Sequence, residues 1–570
     1  MCRNRSFENG ILKTPTGIFK SKLLIIVLIG PYVIFMFSRY NHTDNSPVKG
    51  GRQMFKLKKD KTAGKEPGSH TEKQAPESGR KAITGSLEDN TAIFKKLFKD
   101  DDTFIVRRFQ SHKNTGIRCC ILFLDGMADI AVINDNIIKP VISSAIGSSE
   151  KNALDDIMYQ VLDCNSIEKS GCIDTLMEAV VTGNTVFFAD GFSEALIISS
   201  KGWQTRAIEE PDGEKVIRGP KEGFNESLLV NLSMIRRRLA TNNLKFKFRH
   251  VGTQSKTKIC LCYIEGIVNE QILNELNHRL DNVDIDGMLS SGTLTEFIKD
   301  APLSPFKTIG STERPDVVSG KLLEGRIAVL VEGCPVALTL PFIFIEYFQS
   351  NEDYYINFYF SSINRLLRIL SFILTISLPA IYLSLTSFHM EMVPTPMIKS
   401  ISAARQSVPF PTAIELMLLM ISFEILREAG TRMPTNIGQA LSIVGALVLG
   451  QSAVEARIVS APVVIIVALT GITGLSMPRL KGAEILTRSI LFLFSSVIGL
   501  YGYIFGLIGL LIHLFELRSF GVPYMLSLTN FKVQEIKDTA IRLPWIYMKY
   551  RPKFITANNR LRKAGGGRRK

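Results

Sequence analysis

Hydrophobic and polar positions change their pattern twice along the chain. Between 85 and 362, apolar runs of strand length alternate with segments of helical period, separated by turns carrying Gly, Asp and Pro. That pattern predicts alternating strands and helices in a soluble region. From 363 the apolar runs lengthen. "INRLLRILSFILTISLPAIYLSLTS" (Ile363–Ser387) is long enough to span a bilayer, with Pro379 as a kink. Segment 412–428 is shorter and acidic, 436–455 starts with Asn436 as an N-cap, and 461–477 lies between Pro462 and Pro478. An uncharged stretch at 489–515 contains "GLYGYIFG", which can divide it into two short spans. Four to six membrane segments are expected.

The soluble region contains a repeat. "ILFLDGMADIAVIN" (Ile121–Asn134) resembles "LCYIEGIVNEQILN" (Leu261–Asn274) at an offset of 140. "ADGFSEALII" (Ala189–Ile198) resembles "VEGCPVALTL" (Val331–Leu340) at an offset of 142. The first pair reads as strand, acidic-Gly turn and helix, the second as a hairpin around Asp-Gly or Glu-Gly. Similar offsets in the same order predict two related lobes. The expected fold is therefore an α/β soluble region of two related lobes followed by an all-α multi-pass membrane domain. Its parts are an extension at 1–84, a first lobe at 85–240, a second at 241–362, the membrane domain at 363–516 and a basic tail at 517–570. Within the extension, Leu23–Phe37 is uncharged but shorter than the roughly 20 residues a spanning helix needs. It reads equally as a short anchor, an uncleaved signal or a stretch upstream of a start at Met54. Residues 41–84 are polar and rich in Lys, Gly and Pro, a composition expected to be disordered.

Charge refines the membrane reading. Segment 39–82 holds 11 Lys/Arg against 5 Asp/Glu, and 517–570 holds 13 against 2. Basic flanks beside apolar segments suit anionic lipid and the cytoplasmic side, which places lobes and tail there after an even number of crossings. The basic runs lack interleaved aromatics, so no nucleic acid partner is expected. The eight cysteines form no C-x-x-C pair and no His cluster joins them, so no metal site is expected, and Cys260 and Cys262 should share one strand face. No phosphate-binding loop, nucleophile elbow or H-E-x-x-H pair occurs. The chain is read as no enzyme, without catalytic residues or cofactors. Asp125, Asp190, Glu265 and Glu332 beside glycines read as turn chemistry. Asn225 is a candidate cap for a helix ending in Arg236, Arg237 and Arg238, which lie well at a helix C-terminus or could meet an acidic face of another subunit.

Two constellations carry candidate function. A helix from Glu415 to Glu428 puts Glu424, Arg427 and Glu428 on one side, with Arg432 four beyond Glu428 and Gly430 expected to end the helix between them. Charges at membrane depth should face an interior or water and pair. Such a network serves either to pin helix register or to do functional work. In the next segment Gly438, Ser442, Ala446 and Gly450 recur every four residues, a stripe that permits close helix approach. Beside it run Gln439, Ile443, Leu447, Gln451 and Glu455. One face of a pore helix could look like this, with Gln451 and Glu455 wet and Ile443 and Leu447 closing the path by dewetting. Ordinary packing with glutamines as interhelical glue would look the same, and periodicity does not separate the two.

Four stretches resemble the A-subunit family of spore germinant receptors, the GerA type, over roughly 85–550. They are "RGPKEGFNESLLVNLSMIRRRL" (Arg218–Leu239), "STERPDVVSGKLLEGRIAVLVEGCPVALTLP" (Ser311–Pro341), "VPFPTAIELMLLMISFEILREAGTRMP" (Val408–Pro434) and "IGQALSIVGALVLGQSAVEARIVS" (Ile437–Ser460). Glu332 and Cys334 stand where that family more usually has Asp and Thr. The resemblance implies a multi-pass receptor of the spore inner membrane, triggered by small nutrients and working with a transporter-like B subunit and a lipoprotein C subunit. It also implies a homo-oligomeric ring of A subunits that releases monovalent cations as germination begins. A scaffold that couples a nutrient sensor to later steps without conducting is the alternative.

Overall fold

The computed structural model describes residues 82–111, 117–144, 153–202, 210–211, 213–433, 450–526 and, within 538–562, all but 549, 553 and 557–560. The expectations for 1–81 lie outside the described residues.

The first lobe runs through helix α1 (Leu87–Leu97), strands β1 (Phe104–Gln110), β2 (Arg118–Leu124) and β3 (Ile167–Ser170), helix α2 (Ile173–Val181), and strands β4 (Thr185–Ala189) and β5 (Ala195–Ile198). The second runs through helix α3 (Leu228–Arg238), β6 (Leu244–Val251), β7 (Thr257–Ile264), α4 (Glu270–Asp281), α5 (Ser291–Ile298), β8 (Gly310–Thr312), α6 (Pro315–Leu323), β9 (Ile327–Val331) and β10 (Ala337–Leu340). Each lobe holds a five-stranded sheet, ordered β1-β2-β4-β5-β3 and β6-β7-β9-β10-β8. The two orders are the same, and the strand pairs are antiparallel. The central strands read as unbroken apolar runs because both faces of each sheet are covered. In β2, Cys120, Leu122 and Leu124 enter one core, and Cys119, Ile121 and Phe123 the other. In β7, Cys260 and Cys262 share one face while Ile259, Leu261 and Tyr263 take the opposite one.

The repeat extends further than the matched stretches. Turns Asp125-Gly126 and Glu265-Gly266 have glycine φ values of +79° and +78°, which favour a residue without Cβ. Each turn delivers the chain to a helix capped by a side chain, Asp129 in one lobe and Asn269 in the other. Asn90 in α1 donates to the Thr84 carbonyl, and Asn231 in α3, 141 positions on, donates to the Asn225 carbonyl. The α1 N-terminus donates from Leu87 N to Asp190, and the α3 N-terminus approaches Glu332 through Leu228 N. Each lobe thus begins with a helix. The expected boundary at 240 cuts α3 from its own core, because Leu228, Leu232 and Ile235 pack with Phe246, Cys260 and Leu330. Asn225 is likewise not the cap: Ser227 holds the N-cap position and Asn231 ties Asn225 from inside the helix.

The helical region contains α7 (Phe358–Ser387), α8 (Thr395–Arg405), α9 (Thr412–Arg432), α10 (Ala461–Leu475), α11 (Lys481–Ile498) and α12 (Leu500–Glu516). Hydroxyls join α7 to its neighbours: Thr375 to Thr473 at 2.9 Å, Ser377 to Tyr503 at 2.9 Å, and Ser495 to the Ala380 carbonyl at 2.7 Å. Helix α9 continues to Arg432, so Gly430 does not end it. The break in the 489–515 stretch falls at Gly499, with φ +69° and no room for a Cβ, which would lie 2.7 Å from Phe388 Cβ. Among the described residues, α7 alone is long and apolar enough to cross a membrane, or two spans if α10 and the 478–498 helix, bent by 102°, count as one. Four to six spans were expected, and one of the segments counted, 436–455, lies mostly outside the described residues. Within the described part, α9 carries charges, α10 and α11 break apart, and α12 is short. Ile421, Ile465, Ile490, Phe505 and Ile512 nevertheless leave large apolar surfaces exposed along these helices.

Residues 517–526 form no free tail. Arg518–Ser519 pairs with Val522–Pro523, and Phe520, Val522 and Leu526 enter the second lobe's core. Further on, Arg562 pairs with Glu324 of that lobe at 2.7 Å.

Candidate functional site

The expected charge network occupies one long helix but spreads over different environments. Glu415, in the first turn of α9, is fully buried. Its Oε2 accepts from Ser460 N and Ser460 Oγ, both at 2.8 Å, and Arg405 Nε lies 3.4 Å from its Oε1. Ser460 is the N-cap of α10, so the carboxylate meets the positive end of that helix. Around it Leu416, Leu419, Val459, Val463 and Leu383 exclude water. Two turns on, Glu424 pairs with Arg427 on its own helix and accepts from Arg488 Nη2 of α11 at 2.7 Å. Glu484, one turn before Arg488, is also buried. Glu428 and Arg432 pair at 2.8 Å, but both side chains are more than half exposed, a surface contact that solvent screens.

The stripe residues divide at the border of the description. Gln439, Ile443, Leu447, Gly438, Ser442 and Ala446 lie outside the described residues. Of the remainder, Gln451 donates to Glu455 Oε1 at 2.8 Å on an exposed surface, and Gly450 lies against α10, where a Cβ would meet Val464 Cγ1 at 3.5 Å. Glu415 therefore holds Ser460, the N-cap of α10, which follows the candidate pore segment 436–455.

A second constellation sits where α7 leaves the second lobe. Asp353 is fully buried. It accepts from Arg365 Nε at 2.9 Å and from both terminal nitrogens of Arg368, at 2.9 and 2.8 Å. Arg365, also fully buried, reaches Asp538 Oδ1 at 2.8 Å, and Tyr354 donates to Asp538 Oδ2 at 2.9 Å. Arg542 closes the cluster on the carbonyls of Asp353 and Ile356, at 2.6 and 2.9 Å. Burial pushes the Asp353 carboxyl up, but the Arg368 and Arg365 guanidiniums outweigh it and hold it below the usual carboxylate range. At Asp538 burial prevails over Arg365 and the group is held above that range. This joint binds helix to lobe and lobe to C-terminal segment.

Sequence reasoning missed Arg405, Ser460, Glu484, Arg488 and the whole joint. A signal existed for Arg365 and Arg368, two cations in one apolar run, and for Arg488 at the head of another. Arg236 was placed at a helix end, where it is, but its partner is within the chain. Its Nη2 lies 2.6 Å from Asp101 Oδ2 of the first lobe, with both side chains buried.

Tandem antiparallel lobes joined through buried arginines to helices with charge inside and apolar surface outside define a two-part protein: a folded head on an apolar helical domain. Within that class the chain belongs to the Bacillus/Clostridium GerA spore germination protein family, whose model matches residues 92–554. It is 41% identical over 483 residues to "Spore germination protein KA" of Bacillus subtilis (strain 168), covering 84% of this chain and 88% of that one. It is 37% identical over 490 residues to "Uncharacterized membrane protein YfkQ" of the same organism, covering 85% and 94%. The N-terminal domain of the A subunit of the Bacillus megaterium spore germinant receptor GerK3 aligns at 29% identity over 46% of this chain and 98% of that chain, with a TM-score of 0.37.

Proposed function

We propose that the chain is the channel-forming A subunit of a nutrient-responsive receptor in the spore inner membrane. A ring of copies would surround a path lined by Gln439, Ile443, Leu447, Gln451 and Glu455 and release monovalent cations when a nutrient is sensed. A transporter-like B subunit and a lipoprotein C subunit complete the assembly. The observation that carries this reading is the fully buried Glu415 clamped to Ser460. It gives the connection from the pore segment to α10 a fixed partner inside the helical region. The large apolar surfaces of α9 to α12 support a bilayer or neighbouring copies around that region. The packing of Phe520 and Val522 into the second lobe supports an even number of crossings, because the chain leaves that lobe at α7 and rejoins it after α12. Lobes and C-terminal segment then share the cytoplasmic side.

Replacing Leu447 with Ser wets the constriction and makes the resting path leak. Resting spores of that variant should lose monovalent cations without nutrient. Full retention in spores holding normal amounts of receptor would overturn the gate.

The second reading is a scaffold that conducts nothing. The internal pairing of Glu424 with Arg427 and Arg488 favours it, since such a network can serve register alone. Glu424→Ala separates the readings. A scaffold loses the complete complex, whereas a channel subunit keeps the complex and changes its ion flux.

A further inference from the structure

The described C-terminal segment carries a surface that none of the described residues covers. After Pro544, residues Trp545–Tyr547 form one turn of 3-10 helix. Three residues make a full turn of such a helix, so in a packed segment at least one would face the body of the protein. Here Trp545, Ile546 and Tyr547 are exposed by 53%, 71% and 59%. The turn is nonetheless firmly placed. Arg542, three residues before it, is bonded to the Asp353 and Ile356 carbonyls, and its backbone N–H donates to Ser362 Oγ. The Trp545 ring lies 5.8 Å from that of Tyr354, and the Arg562 guanidinium sits 5.9 Å from it.

These contacts fix the level of the turn: it lies beside residues 353–362, where α7 begins. From Ser362 to the end of α7 at Ser387, a helix rises roughly 38 Å at 1.5 Å per residue. A bilayer with its headgroups is about 40–45 Å thick. If α7 spans, the turn falls in one headgroup layer. Tyr359 and Phe360 are exposed on α7 at the same level. Trp and Tyr concentrate at that depth because an apolar ring with a polar edge suits it. The charge also matches: from Ile541 to Lys570 the sequence has ten Lys/Arg and no Asp or Glu. Anionic headgroups attract such a segment over a Debye length.

We propose that the turn Trp545–Tyr547, carried by a segment of basic sequence, is an interfacial anchor. It seats in the headgroup layer around the start of α7 and binds anionic lipid. The anchor rests on the membrane reading of α7. It would hold the joint of Asp353, Arg365 and Arg542 at a set depth, so that lobe movements pull on α7 against a fixed plane.

The chain has two tryptophans, Trp203 and Trp545, which makes the test direct. Full-length Trp203→Phe protein is reconstituted into phosphatidylcholine vesicles with or without phosphatidylglycerol. Part of the lipid is brominated either near the headgroup or deep in the tail. The anchor predicts that the shallow bromines quench most of the Trp545 emission, the deep ones much less, and that phosphatidylglycerol increases the quenching. Emission unquenched by either lipid in protein that floats with the vesicles would overturn the anchor and leave the membrane reading intact. Blue-shifted emission that follows protein density and ignores the bromines would overturn it in favour of a contact between copies. Equal quenching with and without phosphatidylglycerol would overturn the preference for anionic lipid. Protein that does not float would overturn the membrane reading and the anchor together.

Discussion

Asp353→Ala lowers the stability of the folded protein by about 3–5 kcal/mol, the range for removing one partner of a buried ion pair. Its carboxylate is the common acceptor for Arg365 and Arg368, and it also accepts from Ser350 N at 3.1 Å. Without it Arg365, with no exposed surface, keeps Asp538 and the Thr539 carbonyl as its hydrogen-bond partners among the described residues. Thermal unfolding of the full-length protein in detergent reads the loss, and a change under about 1 kcal/mol would sink the claim. A second reading comes from pH. Because the folded Asp353 carboxyl is held below its ordinary value, it contributes stability that is fully present above the unfolded value of about 3.9. That contribution is lost as pH falls through the folded value. Asp538 has the opposite sign: held above its ordinary value, it favours the folded state more at low pH and less as pH rises through its folded value. Asp538→Asn should therefore remove the second branch and leave the acid-side descent, while Asp353→Ala removes the descent. In the receptor, loosening this joint frees the base of α7 from the lobe that is proposed to move it, so germination should fail even where some protein survives.

The division into lobes and helices was legible in the sequence because it rests on local signals. Acidic-Gly turns, their spacing and the change from strand-length to long apolar runs all lie within short windows. The lobe boundary was not, because the apolar face of α3 would suit either core. Its allegiance is set by the packing of Leu228, Leu232 and Ile235 on Phe246, Cys260 and Leu330, and Glu332, which its N-terminus approaches, is 104 positions from Leu228. The bends were partly visible. "GLYGYIFG" marked a break, but the 102° turn between α10 and the next helix left no comparable signal beyond Pro478. Of the charged site, the partners within one helix were within reach of a spacing rule, as with Glu424 and Arg427. The partners of Glu415, Glu424 and Arg365 lie 45, 64 and 173 positions away, beyond any such rule.

Asp101→Ala is the other substitution expected to act strongly, and it tests whether the two lobes work as one body. Asp101 Oδ2 lies 2.6 Å from Arg236 Nη2, and its Oδ1 accepts from Thr103 N and Oγ1 at 3.2 and 2.7 Å. Arg236 also donates to the Leu244 carbonyl at 3.2 Å and stands 4.5 Å from the Phe246 ring. One residue on, the Asp102 N–H donates to the Phe246 carbonyl at 2.8 Å and its carboxylate accepts from Phe248 N at 2.6 Å. The segment before β1 thereby covers the open edge of β6, which would otherwise offer unpaired backbone groups to another chain. Truncating Asp101 leaves a buried guanidinium without its counter-charge, again a loss of about 3–5 kcal/mol. The paired change Asp101→Leu with Arg236→Met removes both charges and should be less damaging than either single change, since neither ion is left stranded. Hydrogen exchange then distinguishes local from general loss. If the pair joins the lobes, the Phe248 amide exchanges faster in Asp101→Ala while the β7 and β9 amides in the sheet centre stay protected. Uniform acceleration across both sheets would mean that Asp101 supports folding as a whole, and unchanged exchange at Phe248 would mean that the lobes are held elsewhere. A rigid pair of lobes matters for the proposed action, because only a body that moves as one can transmit displacement from its far end to the start of α7.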